Sequence, residues 1–173
     1  MRSAGPVALI TALGASAAGC LAGREETDAV IPCSIALHTS PDVLSWDESS
    51  EIQCEGQRRD VSDRVIILEF IDGFDIFEVD IRWVELGETG TFEEEIGVNV
   101  DIDSDSWYGD CAVQIDRHEE IGSGASGLAL WAVAGEVSCP EPLEGRGSLY
   151  DLDIGVATFE SGYEQSFAET PAR

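Results

Sequence analysis

The chain of 173 residues contains no lysine: its nine basic residues are all arginine, set against 35 acidic ones, for a formal net charge of −26. Without a lysine amine there is no Schiff-base chemistry and no phosphate-cradling P-loop. So large an excess of one sign also sets aside nucleic acid and anionic lipid headgroups as direct ligands, because both would repel it. Histidine is almost as scarce. His38 stands alone in "ALHTSP", and His118 lies in "DRHEE" without the HExxH spacing that sets two imidazoles on one helix face. No G-x-S-x-G elbow accompanies either, so both are expected at the surface, titrating in solvent. The apolar stretch around Val7–Ala18 is too short to cross a bilayer as a helix.

What is present argues for a folded, exported body. Hydrophobic residues make up 43% of the chain and come in runs, which a disordered polyanion would not show. The acid excess and missing lysine fit a surface made for high salt, since lysine exposes a long apolar stem. They fit equally a GC-rich codon bias, the collection of cations or a basic partner, and composition does not choose among these.

The first twenty residues, "MRSAGPVALITALGASAAGC", place one base before an apolar stretch and small residues before a cysteine, the layout of a signal peptide. The closing "AAGC" at Ala17–Cys20 resembles the lipobox of bacterial lipoproteins, with Ala17 where leucine is more usual. The resemblance implies that residues 1–19 are removed and that Cys20 becomes an acylated N-terminus. The protein would then be exported and held on the cell envelope by a lipid anchor in the membrane. Leu21 is compatible with transfer to an outer membrane where the host has one. The alternative is an ordinary signal peptide cut near Ala15–Ala17, which would release a secreted soluble protein.

Five cysteines leave one over in an exported chain unless one is used otherwise. With lipid on Cys20, four remain: Cys33, Cys54, Cys111 and Cys139. Three connectivities are open; the expected one is Cys33–Cys54 with Cys111–Cys139, because each would staple neighbouring elements. Loops of that size are each worth roughly 3 kcal/mol on the chain-entropy model. A zinc site would want close C-x-x-C pairs, and there are none. Residues 20–32, punctuated by Pro32, read as a tether whose twelve residues between Cys20 and Cys33 would reach at most about 40 Å.

Alternation of period two dominates the body, taken as residues 33–160 with 161–173 as a tail. "FEVDIRW" sets Phe77, Val79, Ile81 and Trp83 on one face; "IGVNVDID" does the same with Ile96, Val98, Val100 and Ile102. "YDLDIGV" repeats the pattern with Tyr150, Leu152, Ile154 and Val156, and "CAVQI" is a shorter version at 111–115. "RVIILEFI" (64–71) and "GLALWAVAGEV" (127–137) are apolar on both faces and read as central strands. "DGFD" at 72–75 is a hairpin turn, and Pro140 and Pro142 end a strand after Cys139. With no sustained helical period, the expectation is all-β. It takes the form of a single disulfide-stapled β-sandwich of about eight strands, immunoglobulin-like or a related Greek key.

Candidate chemistry is sparse. "DIDSDSWYGDC" (101–111) resembles a calcium loop in its spacing of Asp101, Asp103 and Asp105, with Asp110 beyond. An EF-hand would need glycine at the sixth position and glutamate at the twelfth, where this chain has Ser106 and Ala112. What remains is a weak calcium site at a hairpin tip, or simply a solvated acidic turn. Trp107 and Tyr108 in the same stretch are candidates to stack on a sugar or anchor a protein, unless Trp107 folds back as core cover. Trp46 fits either role, whereas Trp83 and Trp131 fall inside strands and are expected in the core. No catalytic motif or cofactor fingerprint is found and no pair of the 35 acids stands out, so the expected protein is not an enzyme. It is a binding or structural domain for an envelope protein or glycan, with calcium as a further ligand. A small hydrolase using surface carboxylates is the alternative.

Overall fold

A computed structural model describes residues 29–47, 49–59, 64–124 and 126–165. The signal peptide, the lipidation residue Cys20, most of the tether and the tail beyond 165 lie outside the described residues. Those described form twelve strands and no helix. In chain order they are β1 (Ser34–His38), β2 (Ser45–Trp46), β3 (Gln53–Arg59), β4 (Val65–Asp72), β5 (Asp75–Ile81) and β6 (Gly90–Phe92). After them come β7 (Ile96–Ile102), β8 (Asp105–Asp110), β9 (Ala112–Ser123), β10 (Ala129–Ser138), β11 (Glu144–Arg146) and β12 (Val156–Glu164).

The strands hydrogen-bond in the order β11-β8-β7-β5-β4-β3-β12-β10-β9-β6, with β1 added to β12 and β2 to β1. Laid flat, ten strands would span over about 45 Å with no common interior. The sheet curls instead. Phe70 of β4 meets Phe159 of β12 edge-on at 6.1 Å. Val98 and Val100 of β7 share one buried core with Val113 and Ile115 of β9 and Val133 of β10.

Two places make the curl. Between β3 and β12 the pairing is parallel and rests on one register pair, Gln57 with Glu164. There Gly56 meets Gly162 so closely that a Cβ on Gly56 would lie 1.9 Å from the Gly162 carbonyl oxygen. Only a residue without a side chain permits that approach. At the other place β8 runs on into β9 through Cys111. The Cys111 N–H donates to the Ile96 carbonyl at 3.0 Å, continuing the β7 ladder, and the next residue, Ala112, already pairs with Ser138 of β10. The chain thus crosses from one half of the sheet to the other at Cys111, and the Cys111–Cys139 disulfide pins the crossing. The second disulfide joins Cys33 to Cys54, so both expected pairings are present.

The alternating segments form strands whose apolar face is buried: Phe77, Val79 and Ile81, then Ile96, Val98 and Val100, all sit in the core. β4 buries Val65 through Leu68 on both faces, as a central strand should. Several expectations need correction. Twelve strands in one curled sheet stand where about eight in two layers were expected; β2, β6 and β11 hold only two or three residues, too few for alternation to register. "YDLDIGV" is not a strand: Leu152 and Asp153 make isolated bridges to Leu143 and Ser40, and only Leu152 and Ile154 are buried. Trp83 leaves the sheet two residues past the end of β5, with a φ of 63° and an indole that donates to Glu95 at 2.8 Å, 54% exposed. The body also runs past residue 160, since β12 continues to Glu164 with Ser161 and Tyr163 buried.

Candidate functional site

The outer face of β3, β4, β5 and β7 carries carboxylates in cross-strand register. Glu55 lies opposite Glu69, Glu69 opposite Glu78, Glu78 opposite Asn99, and Asn99 opposite Tyr108. Directly opposed residues on a sheet have Cβ atoms about 5 Å apart, and like charges there repel. Burial pushes the Glu78 carboxyl up to about 7, helped by the charge of Asp80 and by the hydrogen bond and charge of Glu69. Burial also raises Asp80, which Arg82 and Arg59 partly offset. The Glu78 carboxyl is therefore still partly protonated at neutral pH, where it can donate to Glu69. Glu69 lines a hollow of about 260 Å³ with Glu55, Gly56, Gln57 and Ile67, and Glu78 faces Glu69 from the neighbouring strand.

The aspartates of "DIDSDSWYGDC" are not one cluster. Asp103 opens the two-residue turn between β7 and β8 with a φ of 55°, and Asp105 pairs with Ile102 beside it. Asp101 accepts a hydrogen bond from the Asn99 amide at 3.0 Å. Asp110 sits at the other end of β8, opposite Gly97 and about 17 Å along the strand from Asp105. Among the described residues no three His, Cys, Asp or Glu side chains converge to hold a metal. The hairpin tip is better described by its neighbour: Asp75, raised by burial and by the charges of Asp103 and Asp72, accepts a backbone hydrogen bond from Asp103.

The adjoining aromatics part company. Trp107 faces inward opposite Val100, 1% exposed, and its indole donates to the Tyr150 carbonyl at 3.0 Å. It is core cover in this fold. Tyr108 faces outward, lies across Gly97 and carries the Arg146 guanidinium 5.2 Å from its ring centre. Trp46 is core, and Trp131 is partly buried against His118.

His118 is likewise not a surface residue. It is buried on β9, where its Nδ1–H donates to the Glu88 carbonyl at 3.2 Å and its Nε2 accepts from the Tyr163 hydroxyl at 2.7 Å. That tautomer follows from the carbonyl, which can only accept. Burial holds the imidazole below its ordinary value, with the Glu88 carbonyl a partial offset, so it is neutral at neutral pH. His38 is exposed, beside Ser45 and Asp42.

A concave surface lies along the β8–β9 crossing. A cleft of about 360 Å³ is lined by Tyr108, Asp110, Pro140, Glu141, Pro142 and Glu144. A second, of about 410 Å³, shares Asp110 and Pro140 with it and runs over the Cys111–Cys139 disulfide to Glu93 and Ala112. Together they make one groove between β8 and the segment that leads from β10 to β11. Sequence reasoning singled out Tyr108 and Asp110 but missed Glu141 and Glu144, whose only signal was the "CPEP" stretch taken as the end of a strand. Comparison with protein-family models, with curated proteins and with solved structures finds no match for the chain.

Proposed function

We propose that the protein is a lipid-anchored component of the cell envelope whose all-β body binds a partner and performs no chemistry on it. Cys20 would carry the acyl chains, at an outer membrane where one exists, and the short tether would keep the body near that surface. Disulfides persist in oxidising compartments, so the two pairings support a place outside the cytosol. The observation that carries the binding reading is the groove at Tyr108, lined by Pro140, Pro142 and the Cys111–Cys139 disulfide. We further read the curled sheet as a Greek-key sandwich of the immunoglobulin-like kind drawn into one surface. Eight strands of six or more residues, β3–β5, β7–β10 and β12, support that reading.

Two experiments test the proposal. Cys20→Ser is expected to move the protein from the membrane fraction to the soluble fraction; retention on the membrane counts against the anchor. A photo-reactive phenylalanine analogue in place of exposed Tyr108 is expected to crosslink one discrete partner in intact cells, and no adduct would remove the binding reading. A second reading, a small envelope hydrolase, is favoured by one observation: Glu78 can donate a proton near pH 7 beside Glu69. Hydrolysis of an envelope glycan preparation, abolished by Glu78→Gln, would decide for it.

A further inference from the structure

Ahead of β1 the chain crosses β12 on the side turned away from the core, since Gly162 alternates there with the core residue Tyr163. Ile31 lies where a Cβ on Gly162 would come within 2.9 Å of it, and Ala29 stands equally close to Gly122 near the end of β9. Glycine at both positions leaves room for the crossing chain. Val30, between them, is 83% exposed. The chain that leads back to Cys20 therefore departs from the β9–β10 hairpin end of the body.

That end carries little charge, in a chain of formal net charge −26. Residues 121–135 include neither acid nor base. Ser123 and Gly127 are exposed there, and Leu128 is half-buried. Glu164 is close, its carboxylate accepting from the Ser126 hydroxyl, and Glu119 and Glu120 follow further back on β9. The opposite end differs. β10 runs from Ala129 to Ser138, so Ser138, a lining residue of the groove, is about 30 Å from the hairpin. Around that groove stand Glu93, Asp110, Glu141 and Glu144, all exposed.

Resting on the reading of Cys20 as a lipid anchor, we propose that the body stands on its anchoring bilayer by the β9–β10 hairpin end, with Val30, Ser123 and Leu128 against the lipid headgroups. The Tyr108 groove then faces away from that membrane, and the partner it takes comes from the space beyond. Reach is the first reason. A chain the length of residues 20–28 spans about 17 Å on average and about 30 Å at full stretch. Setting the groove end on the bilayer would need nearly all of that stretch. Charge is the second reason. Each acid pressed against an anionic surface lowers the population of that arrangement about fivefold, and the groove end would bring Glu93, Asp110, Glu141 and Glu144 there together. The hairpin end brings far less.

The test uses the acylated full-length protein on vesicles of phosphatidylethanolamine and phosphatidylglycerol, doped with a lipid that carries a nitroxide on its headgroup. A fluorescent amino acid replaces exposed Ser123 in one preparation and exposed Glu141 in another. Flotation with the vesicles is read first. Quenching is then expected to be several-fold stronger at position 123 than at position 141. Val30→Glu with Leu128→Glu is expected to cut that ratio at least about twofold. Equal quenching at the two positions, stronger quenching at 141, or a ratio that the double variant leaves unchanged each overturns this proposal while the anchor stands. A full-length protein that carries no acyl chain and does not float removes the anchor reading beneath it, and this proposal with it.

Discussion

Replacing Glu78 by glutamine should stabilise the protein, and only above the pH at which the carboxyl ionises. Glu78 is half-buried on β5 and faces Glu69 of β4 and Asn99 of β7, with Asp80 and Asp101 nearby on the same face. Its folded-state value is raised to about 7 from an ordinary 4.5. A carboxyl raised in this way favours the folded state most when protonated. That stability is fully present below pH 4.5 and is lost as pH rises through about 7. Taken at about 1.4 kcal/mol for each tenfold change, the difference would approach about 3 kcal/mol. Solvent reaches the group and screens its neighbours, so the expected cost of the charge is nearer about 1 kcal/mol. Glutamine keeps a donor for Glu69 without the charge.

Urea unfolding of wild type and Glu78→Gln, followed by tryptophan fluorescence at pH 4.5, 6 and 8, reads the effect. The variant should be more stable by about 1 kcal/mol at pH 8, with the gap closing towards pH 4.5. His118 works in the opposite sense. Because its folded-state value is lowered, its contribution is present above pH 6.5 and lost as pH falls below that. It acts in both proteins, so the comparison is the difference between them and not either curve alone. A gap that does not change with pH, or a variant less stable than wild type at pH 8, would refute the reasoning.

Cys111→Ser with Cys139→Ser, which opens a loop of sequence separation 28, should cost about 3.5 kcal/mol in urea unfolding. Gly56→Ala places a Cβ against the Gly162 carbonyl and should destabilise by at least about 2 kcal/mol, or prevent folding, as read by the thermal midpoint. Tyr163→Phe leaves the buried Nε2 of His118 without its donor and should cost about 1–2 kcal/mol, measured by urea unfolding at pH 8.

The class of the fold was legible because alternation is a local property. Phe77, Val79 and Ile81, or Val98 and Val100, announce a buried face within one strand, whatever that strand pairs with. The disulfide partners were legible for a related reason: each pair joins elements close along the chain, at separations of 21 and 28. Trp83 misled because its place in the alternation carried no sign that the strand would end at Ile81.

The rest depended on which segments lie side by side, and that only the tertiary structure decided. Glu69 helps to raise the Glu78 carboxyl because the β4–β5 register sets them opposite each other, and a slip of one residue would part them. His118 is buried by a hydroxyl 45 positions away, a contact no local pattern encodes. Asp110 left the acidic tip because strand length carried it to the far end of β8. There it lines one groove with Glu141 and Glu144, some thirty positions along the chain, next to the Cys111–Cys139 disulfide. Polarity along a segment tells each residue which way to face; only packing and register tell it what it will face.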